Sequence, residues 1–401
     1  MTMIPKIRFS EFEEEWKKVK LYNYATRITR KNTKLESNLP LTISSIDGLV
    51  SQIDYFNNRV ASQNISGYYL IKNGEYAYNK SYSNGYPWGS VKRLNKYDMG
   101  VLSTLYIVFS INDSIDSDYF SHFFDTNLWH REVAAKAEEG ARNHGLLNIS
   151  VEDFFDINIS TPTLSEQRRI SQFFTLLDKT IRLEGERLAS LQQVKAASLQ
   201  SFFPQEGEKE PRVRFKGFSG EWKKVKIGEI FKERNEQNIH GEMLSVTMNN
   251  GIIKASENGR FDNSNDDKSH YKVVKIGDIA YNSMRMWQGA SGCSAYEGIV
   301  SPAYTVLNPQ EGIDSLFFSY LFKCQNMLKV FRFNSQGLTS DTWNLKYPTL
   351  SQIEIQYPES LAEQRALSAY FTNIDEQIRL VREKIEKMKK VKGACLEGMM
   401  V

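Results

Sequence analysis

The hexapeptide Glu-Trp-Lys-Lys-Val-Lys occurs twice, at Glu15–Lys20 and at Glu221–Lys226, a shift of 206 residues (221 − 15) in a chain of 401. Further matches follow in the same order. Ile7–Phe9 meets Val213–Phe215, and Gly74–Asn79 (GEYAYN) meets Gly277–Asn282 (GDIAYN) at 203 (277 − 74). Ile115–Phe124 (IDSDYFSHFF) meets Ile313–Phe322 (IDSLFFSYLF) at 198 (313 − 115). Glu-Gln-Arg at Glu166–Arg168 returns at Glu363–Arg365, and Ile-Arg-Leu at Ile181–Leu183 returns at Ile378–Leu380, both at 197 (363 − 166; 378 − 181). A shift that drifts in steps is what two copies of one fold produce when their loops differ in length. Repeats of about 20 to 50 residues would mean a solenoid; this period means a duplicated domain. The first half can therefore adopt only a fold that the second half also supports.

Each half follows one plan. A strand-rich part comes first, with β-branched and aromatic residues alternating in GYYLIKNGEYAYN and TLYIVFSI, and again in HYKVVKIGDIAYN and SPAYTVLN. A helix is expected over Ser117–Ala135 and over Asp314–Phe331, from apolar residues at helical spacing such as Phe317, Phe318, Leu321, Met327 and Leu328. A short strand, FFDINIS or QIEIQYP, then precedes Pro162 or Pro358, and a long helix follows over Leu164–Phe202 and Leu361–Met399.

The long helices carry a heptad seam. Leu367, Phe371, Ile374, Ile378, Val381, Ile385 and Met388 recur in steps of four and three, as do Ile170, Phe174, Leu177, Ile181, Glu184, Leu188 and Leu191. A single polar seam residue, here Glu184, commonly fixes register. Each helix is expected to pack on the other. Two copies of one unit associate readily about a two-fold axis, which makes the helices antiparallel. About forty residues at about 1.5 Å each give rods of roughly 60 Å. The expected fold class is therefore α+β: two similar globular α/β domains separated by an antiparallel coiled coil, with pseudo-two-fold symmetry. The expected boundaries are 1–160 and 206–357 for the globular domains, and 161–205 and 358–401 for the spacer helices.

Composition narrows the function. The net charge is +3, from 51 Lys and Arg against 48 Asp and Glu, so nucleic-acid binding has to come from local patches. The odd set of three cysteines, Cys293, Cys324 and Cys395, has no metal-ligand spacing and fits a reducing cytoplasm. The start of the sequence has no signal-peptide pattern, and the longest apolar-rich run, Val101–Phe109, is too short to span a membrane. No phosphate-binding loop, Gly-rich dinucleotide turn, His-Glu-x-x-His or Asn-Pro-Pro-aromatic sequence occurs. No catalytic residue, metal or resident cofactor is expected.

The halves diverge in two places. After Ala-Tyr-Asn the first runs KSYSNGYPWGSVKRLNKYDMG and the second SMRMWQGASGCSAYEG. After the shorter helix the first runs DTNLWHREVAAKAEEGARNHGLLN and the second KCQNMLKVFRFNSQGLTSDTWN. Arg and Lys pair with guanine, Asn and Gln with adenine, and hydroxyls hold phosphates. Candidate DNA contacts are Lys80, Tyr82, Lys92, Arg93, Arg142 and Asn143 in the first half. In the second they are Arg285, Trp287, Gln288, Gln336, Thr339 and Ser340. For Trp287 a core role weighs against contact, and for the others a solvated loop does. Lys17, Lys18 and Lys20, with their counterparts Lys223, Lys224 and Lys226, read as a solvated edge.

The repeats, each opening on RF…EWKKVK, and the pattern ISTPTLSEQRRI at Ile159–Ile170, returning as IQYPESLAEQRAL at Ile355–Leu367, resemble the specificity subunit of type I restriction-modification systems. AYNSMRMWQGASG and SQGLTSDTWNL add to that resemblance, whereas AYNKSYSNGYPWG departs from it in the first loop. The resemblance implies two target recognition domains, each reading half of a bipartite site in double-stranded DNA. It also implies spacer helices that set the gap and dock two methyltransferase subunits. S-adenosylmethionine would be bound by those partners, and restriction subunits that translocate and cut DNA would complete the assembly. Two other classes fit the residues less well: a coiled-coil docking protein without a DNA role, and a self-contained nuclease or methyltransferase.

Overall fold

A computed structural model describes residues 4–44, 47–58, 60–81, 86–137, 147–248, 250–258 and 268–401. The chain forms two units, one of residues 1–185 with 384–401 and one of residues 186–383. In the first, four antiparallel strands lie in the order Ala25–Arg27, Ile107–Ile111, Tyr76–Asn79, Ser90–Arg93. In the second, the order is Phe231–Glu233, Tyr304–Pro309, Ile279–Asn282, Ser291–Cys293. The repeated Tyr-Asn strand occupies the same inner place in both.

Three two-stranded ladders accompany each sheet, again in matching pairs. Lys17–Lys20 pairs Asn158–Thr161 as Lys223–Lys226 pairs Glu354–Tyr357. Leu41–Ser44 pairs Gly48–Ser51 as Leu244–Thr247 pairs Gly251–Lys254, and Tyr69–Lys72 pairs Met99–Leu102 as Lys272–Val274 pairs Gly298–Val300. Several of these strands are buried on both faces, and a small apolar core forms between them. Leu41, Ile43, Leu49 and Ile71 form it in the first unit, and Leu244, Val246, Ile252 and Val274 in the second.

The shorter helical region differs from expectation in both halves. It is two helices, Ser117–Phe124 with His130–Lys136, and Ser315–Leu321 with Gln325–Asn334. Cys324 causes the second break: its backbone is extended (φ −65°, ψ 141°), which ends one helix and starts the next. In the first half the Thr126 hydroxyl accepts from the Leu128 N–H and donates to the Phe123 carbonyl, offering the backbone a turn in place of a helix. Asp116 and Asp314 cap the helices at Ser117 and Ser315, accepting from Tyr119 and Leu316 N–H.

The long helices span Leu164–Ser201 and Leu361–Met399, each contributing one segment to each unit. Thr163 and Ser360 cap them by accepting from the N–H of Glu166 and Glu363. Within the first unit Lys392 pairs with Asp178 at 2.6 Å and Lys384 with Glu184 at 2.5 Å, so the segments run antiparallel. Within the second, Lys195 pairs with Asp375 at 2.5 Å and Ser198 meets the Tyr370 hydroxyl at 2.9 Å, again antiparallel. Ile374, Ile378, Val381 and Ile385 are buried, while Leu177, Ile181, Leu188, Leu191 and Met388 are half-buried.

The first seam positions serve the main cores. Ile170 and Phe174 pack with Trp16, Tyr76, Tyr78, Phe109, Phe154 and the helix-end Met399. Leu367 and Phe371 pack with Trp222, Phe231, Phe317, Phe318 and the helix-end Phe203. Tyr78 stacks on Phe154 at 4.5 Å, and Phe203 on Phe371 at 5.7 Å. Such ring pairs are worth about 0.5–1.5 kcal/mol beyond their area.

The EQR repeat has a structural reading. Arg8 donates to both oxygens of Glu166, and Arg214 to both of Glu363, with carboxylates only 1% and 2% exposed. Gln167 accepts from the Asp116 N–H and donates to the Pro162 carbonyl; Gln364 does the same with Asp314 and Pro358. Each glutamine thereby ties a helix cap to a long helix.

Candidate nucleic-acid interface

In both units the divergent loops leave the inner strand through the same local device. The Asn282 side chain accepts from the Met284 N–H as that of Asn79 accepts from the Ser81 N–H, a side-chain turn that closes the strand. The two divergent segments then meet in one hydrogen bond of 2.8 Å, Leu345 N–H to the Ser283 carbonyl and Leu147 N–H to the Lys80 carbonyl. Loop chemistry differs between the units while loop anchorage repeats.

In the second unit a 3-10 turn, Met286–Gln288, carries the first segment. Met286 is buried and roots the turn, and Gly289 closes it at φ +83°, a left-handed conformation suited to glycine. Arg285 is exposed and donates to the Gln288 side chain at 3.2 Å. Trp287 is half-buried, an intermediate between the core and contact readings. Its indole N–H donates to the Met284 carbonyl, and its ring meets Trp343 edge-on at 5.2 Å. The Arg332 guanidinium lies over the Trp343 ring at 5.3 Å.

The second segment forms a short hairpin in which Gln336 and Asn344 exchange backbone hydrogen bonds of 3.0 and 2.8 Å. Thr339 and Ser340 stand exposed on it. A Cβ on Gly337 would sit 2.6 Å from the Thr342 carbonyl oxygen, so the hairpin turn requires glycine. Arg285, Trp287, Gln288, Gln336, Thr339 and Ser340 thus belong to two segments anchored together. Sequence reasoning missed Trp343, which braces Trp287, and Arg332, which lies over Trp343; neither carries a local signal, because the contacts join positions apart in the chain.

The first unit differs. Lys80 donates to the Ile149 carbonyl at 3.2 Å. Lys92 pairs with Asp125 at 2.6 Å, and Arg93 pairs with Asp118 at 2.5 Å while also donating to Ser117 and Asn95. These cations are already engaged by side chains and carbonyls of their own unit. Tyr82, Arg142 and Asn143 lie outside the described residues. Lys18 and Lys20 pair with Glu132 and Asp156, and Lys223 and Lys224 with Glu359 and Glu354.

Among the described residues no group of His, Cys, Asp or Glu has the geometry to hold a metal ion, and no helix is long and apolar enough to cross a membrane. Burial pushes the Cys293 thiol up to about 12 and the Cys324 thiol above its ordinary range as well.

The comparisons with known proteins agree with this anatomy. The family model for the type I restriction modification DNA specificity domain matches twice, over residues 13–193 and 219–390. The S subunit of a type I restriction-modification system from M. genitalium has a similar fold, with TM-score 0.58 at 14% identity, covering 100% of this chain and 99% of that one. A chain described under the complex assembly and conformational transition of the type I R-M system is similar at TM-score 0.52 and 17% identity, covering 95% and 96%. No curated protein matches the chain. With two matches that together take in most of its length, one centred on each unit, the chain belongs to the type I restriction-modification DNA specificity family.

Proposed function

We propose that the chain is the non-catalytic sequence-recognition subunit of a type I restriction-modification complex. Each globular domain reads one half of a bipartite site in double-stranded DNA. The long helices fix the gap between the halves and dock two methyltransferase subunits. Those subunits bind S-adenosylmethionine and methylate adenine, and restriction subunits that translocate and cut DNA join the same cytoplasmic assembly.

One observation carries this reading: two units that match strand for strand differ in the loops that leave the inner strand and precede Leu147 or Leu345. A duplicated scaffold with unlike loops suits a target with two unlike halves. In the second unit those loops present Arg285, Gln288, Gln336, Thr339 and Ser340, groups able to read base edges and hold phosphates. Phosphate contact makes such binding fall steeply with salt.

The test is to map methylated adenines in cells with and without this chain, and then with residues 1–160 exchanged for the corresponding part of a relative. Methylation at a split site that vanishes with the chain, and changes in only one half after the exchange, is the expected result. Unchanged methylation, or no salt-dependent DNA binding in the presence of the methyltransferase, would leave a docking protein without a DNA role.

A further inference from the structure

Two large apolar side chains of the second unit stand almost wholly in water. Phe333 and Leu338 are 86% and 102% exposed, and no other large apolar residue among the described residues exceeds 67%. Both lie on the second divergent segment, five positions apart and on either side of Gln336. Met284, also exposed, lies on the first segment, which the Leu345–Ser283 hydrogen bond holds to the second.

The exposure is built into the local fold. In the helix Gln325–Asn334 the Phe331 ring is fully buried, and two residues along a helix turn the chain by about 200°, which puts Phe333 on the opposite face. The Ser335 hydroxyl donates to the Phe331 carbonyl at 2.7 Å and Arg332 lies over Trp343, so the helix end is held in place. Leu338 leads into a turn in which the Thr342 N–H and hydroxyl both donate to the Thr339 carbonyl at 2.9 Å. The fold does not need a ring at 333. In the register that matches Phe322 to Phe124 (322 − 124 = 198), buried Met327 and Phe331 fall on buried Trp129 and Val133, but Phe333 falls on exposed Ala135. A surface for a partner bound alike by both copies would be kept in both; this ring belongs to one copy, as the divergent loops do.

The surroundings select a polyanion. Residues 325–346 carry Lys329, Arg332 and Lys346 against Asp341 alone, all four exposed. The edges of duplex DNA offer little apolar surface beyond the thymine methyl, which is smaller than either side chain. Its large apolar faces are those of stacked base pairs, open only where a step is prised apart. Phe and Leu are among the side chains that proteins insert there, unstacking the step and kinking the duplex.

We infer that Phe333 and Leu338 are apolar wedges that enter opened base steps in the half-site bound by the second unit, so that this half is selected by how readily it kinks as well as by its base edges. The inference rests on the proposed function and adds a reading that the hydrogen-bonding groups of the loops cannot supply. Pyrimidine–purine steps open most easily, so such a step is expected in or beside that half-site.

The test uses the full chain assembled with its methyltransferase, on duplexes holding the target found by methylation mapping. The half that stays the same when residues 1–160 are exchanged carries 2-aminopurine at successive positions, away from the methylated adenine, which methyltransferases turn out of the stack on their own. Binding is expected to raise the fluorescence severalfold beside a pyrimidine–purine step. Phe333→Ala should abolish the rise and weaken binding about tenfold or more, and Leu338→Ala about threefold or more. Phe333→Trp, which keeps a wedge, should retain the rise. Melting temperature and the number of bound methyltransferase copies, read by native mass spectrometry, should not change. No rise at any position, or a rise that Phe333→Ala keeps, would overturn the inference. So would a loss reproduced by replacing thymine with deoxyuridine, which would make the ring a methyl contact, or a lost methyltransferase copy, which would make it a protein contact. A lowered melting temperature would place the ring in the fold and overturn it too. An unaltered assembly that binds no DNA would overturn the proposed function itself, which separates the two failures.

Discussion

Arg214 and Glu363, separated by 149 positions, form a two-pronged ion pair of 2.7 and 2.8 Å in which the carboxylate is almost wholly buried. Arg214 also donates to the Gly220 carbonyl, so one side chain fixes the start of the second repeat against the base of the second long helix. Removing one partner strands a buried charge. Arg214→Ala is expected to lower stability by about 3–5 kcal/mol, read from urea unfolding. A loss under about 1 kcal/mol would mean that the pair is not closed in solution.

Arg285 makes the opposite case. It is exposed and tied to its own loop only through Gln288. Arg285→Ala is expected to leave unfolding free energy within about 0.5 kcal/mol. In the assembled methyltransferase it should weaken discrimination at one base pair of one half-site by about 1–3 kcal/mol. Methylation profiling across a library of sites gives both the magnitude and the half affected.

Gly337 offers a test of the hairpin. Gly337→Ala places a Cβ 2.6 Å from the Thr342 carbonyl oxygen, closer than such atoms approach without a shift. The expected outcome is about 1–3 kcal/mol of strain, relieved by opening the Gln336–Asn344 pairing. DNA affinity should fall while the far-ultraviolet circular dichroism spectrum stays the same. Unaltered affinity would show that the hairpin takes no part in recognition.

Lys323 predicts a pH dependence. Burial, helped by the nearby Lys195, lowers its ammonium from the ordinary 10.5 to about 8. Between those values the unfolded chain holds a proton that the folded chain has released, so stability rises with pH across about 8 to 10.5, by at most about 1.4 kcal/mol per pH unit. Below about 8 both states are protonated and the penalty is constant. Lys323→Met should flatten the rise and stabilise the protein at neutral pH, as followed by denaturant midpoints in buffers from pH 7 to pH 10.

The duplication, the inner strands and the long helices were legible because each is a pattern of identity or periodicity within a few residues. The Cys324 break was not, since apolar spacing runs straight through an extended residue placed between two helices. Heptad spacing announced that Phe174 and Phe371 are covered, but periodicity does not say by what, and both belong largely to the aromatic cores. For the candidate interface, loop divergence marked two segments of the second unit that the fold anchors to one another through Leu345 and Ser283. Composition could not show that Lys92 and Arg93 are already matched by Asp125 and Asp118, because that pairing depends on how distant segments fold together.

The ladder joining Lys17–Lys20 to Asn158–Thr161, and its twin joining Lys223–Lys226 to Glu354–Tyr357, has a consequence for inheritance. Where the chain enters a globular domain it lies hydrogen-bonded beside where the chain leaves it. Such a domain is a cartridge: a gene segment between those two strands can be replaced by recombination while the socket keeps its shape. On the proposed function, two crossovers, one at each of the paired strands, would give a lineage a new half-target with every surface outside the cartridge left as it was.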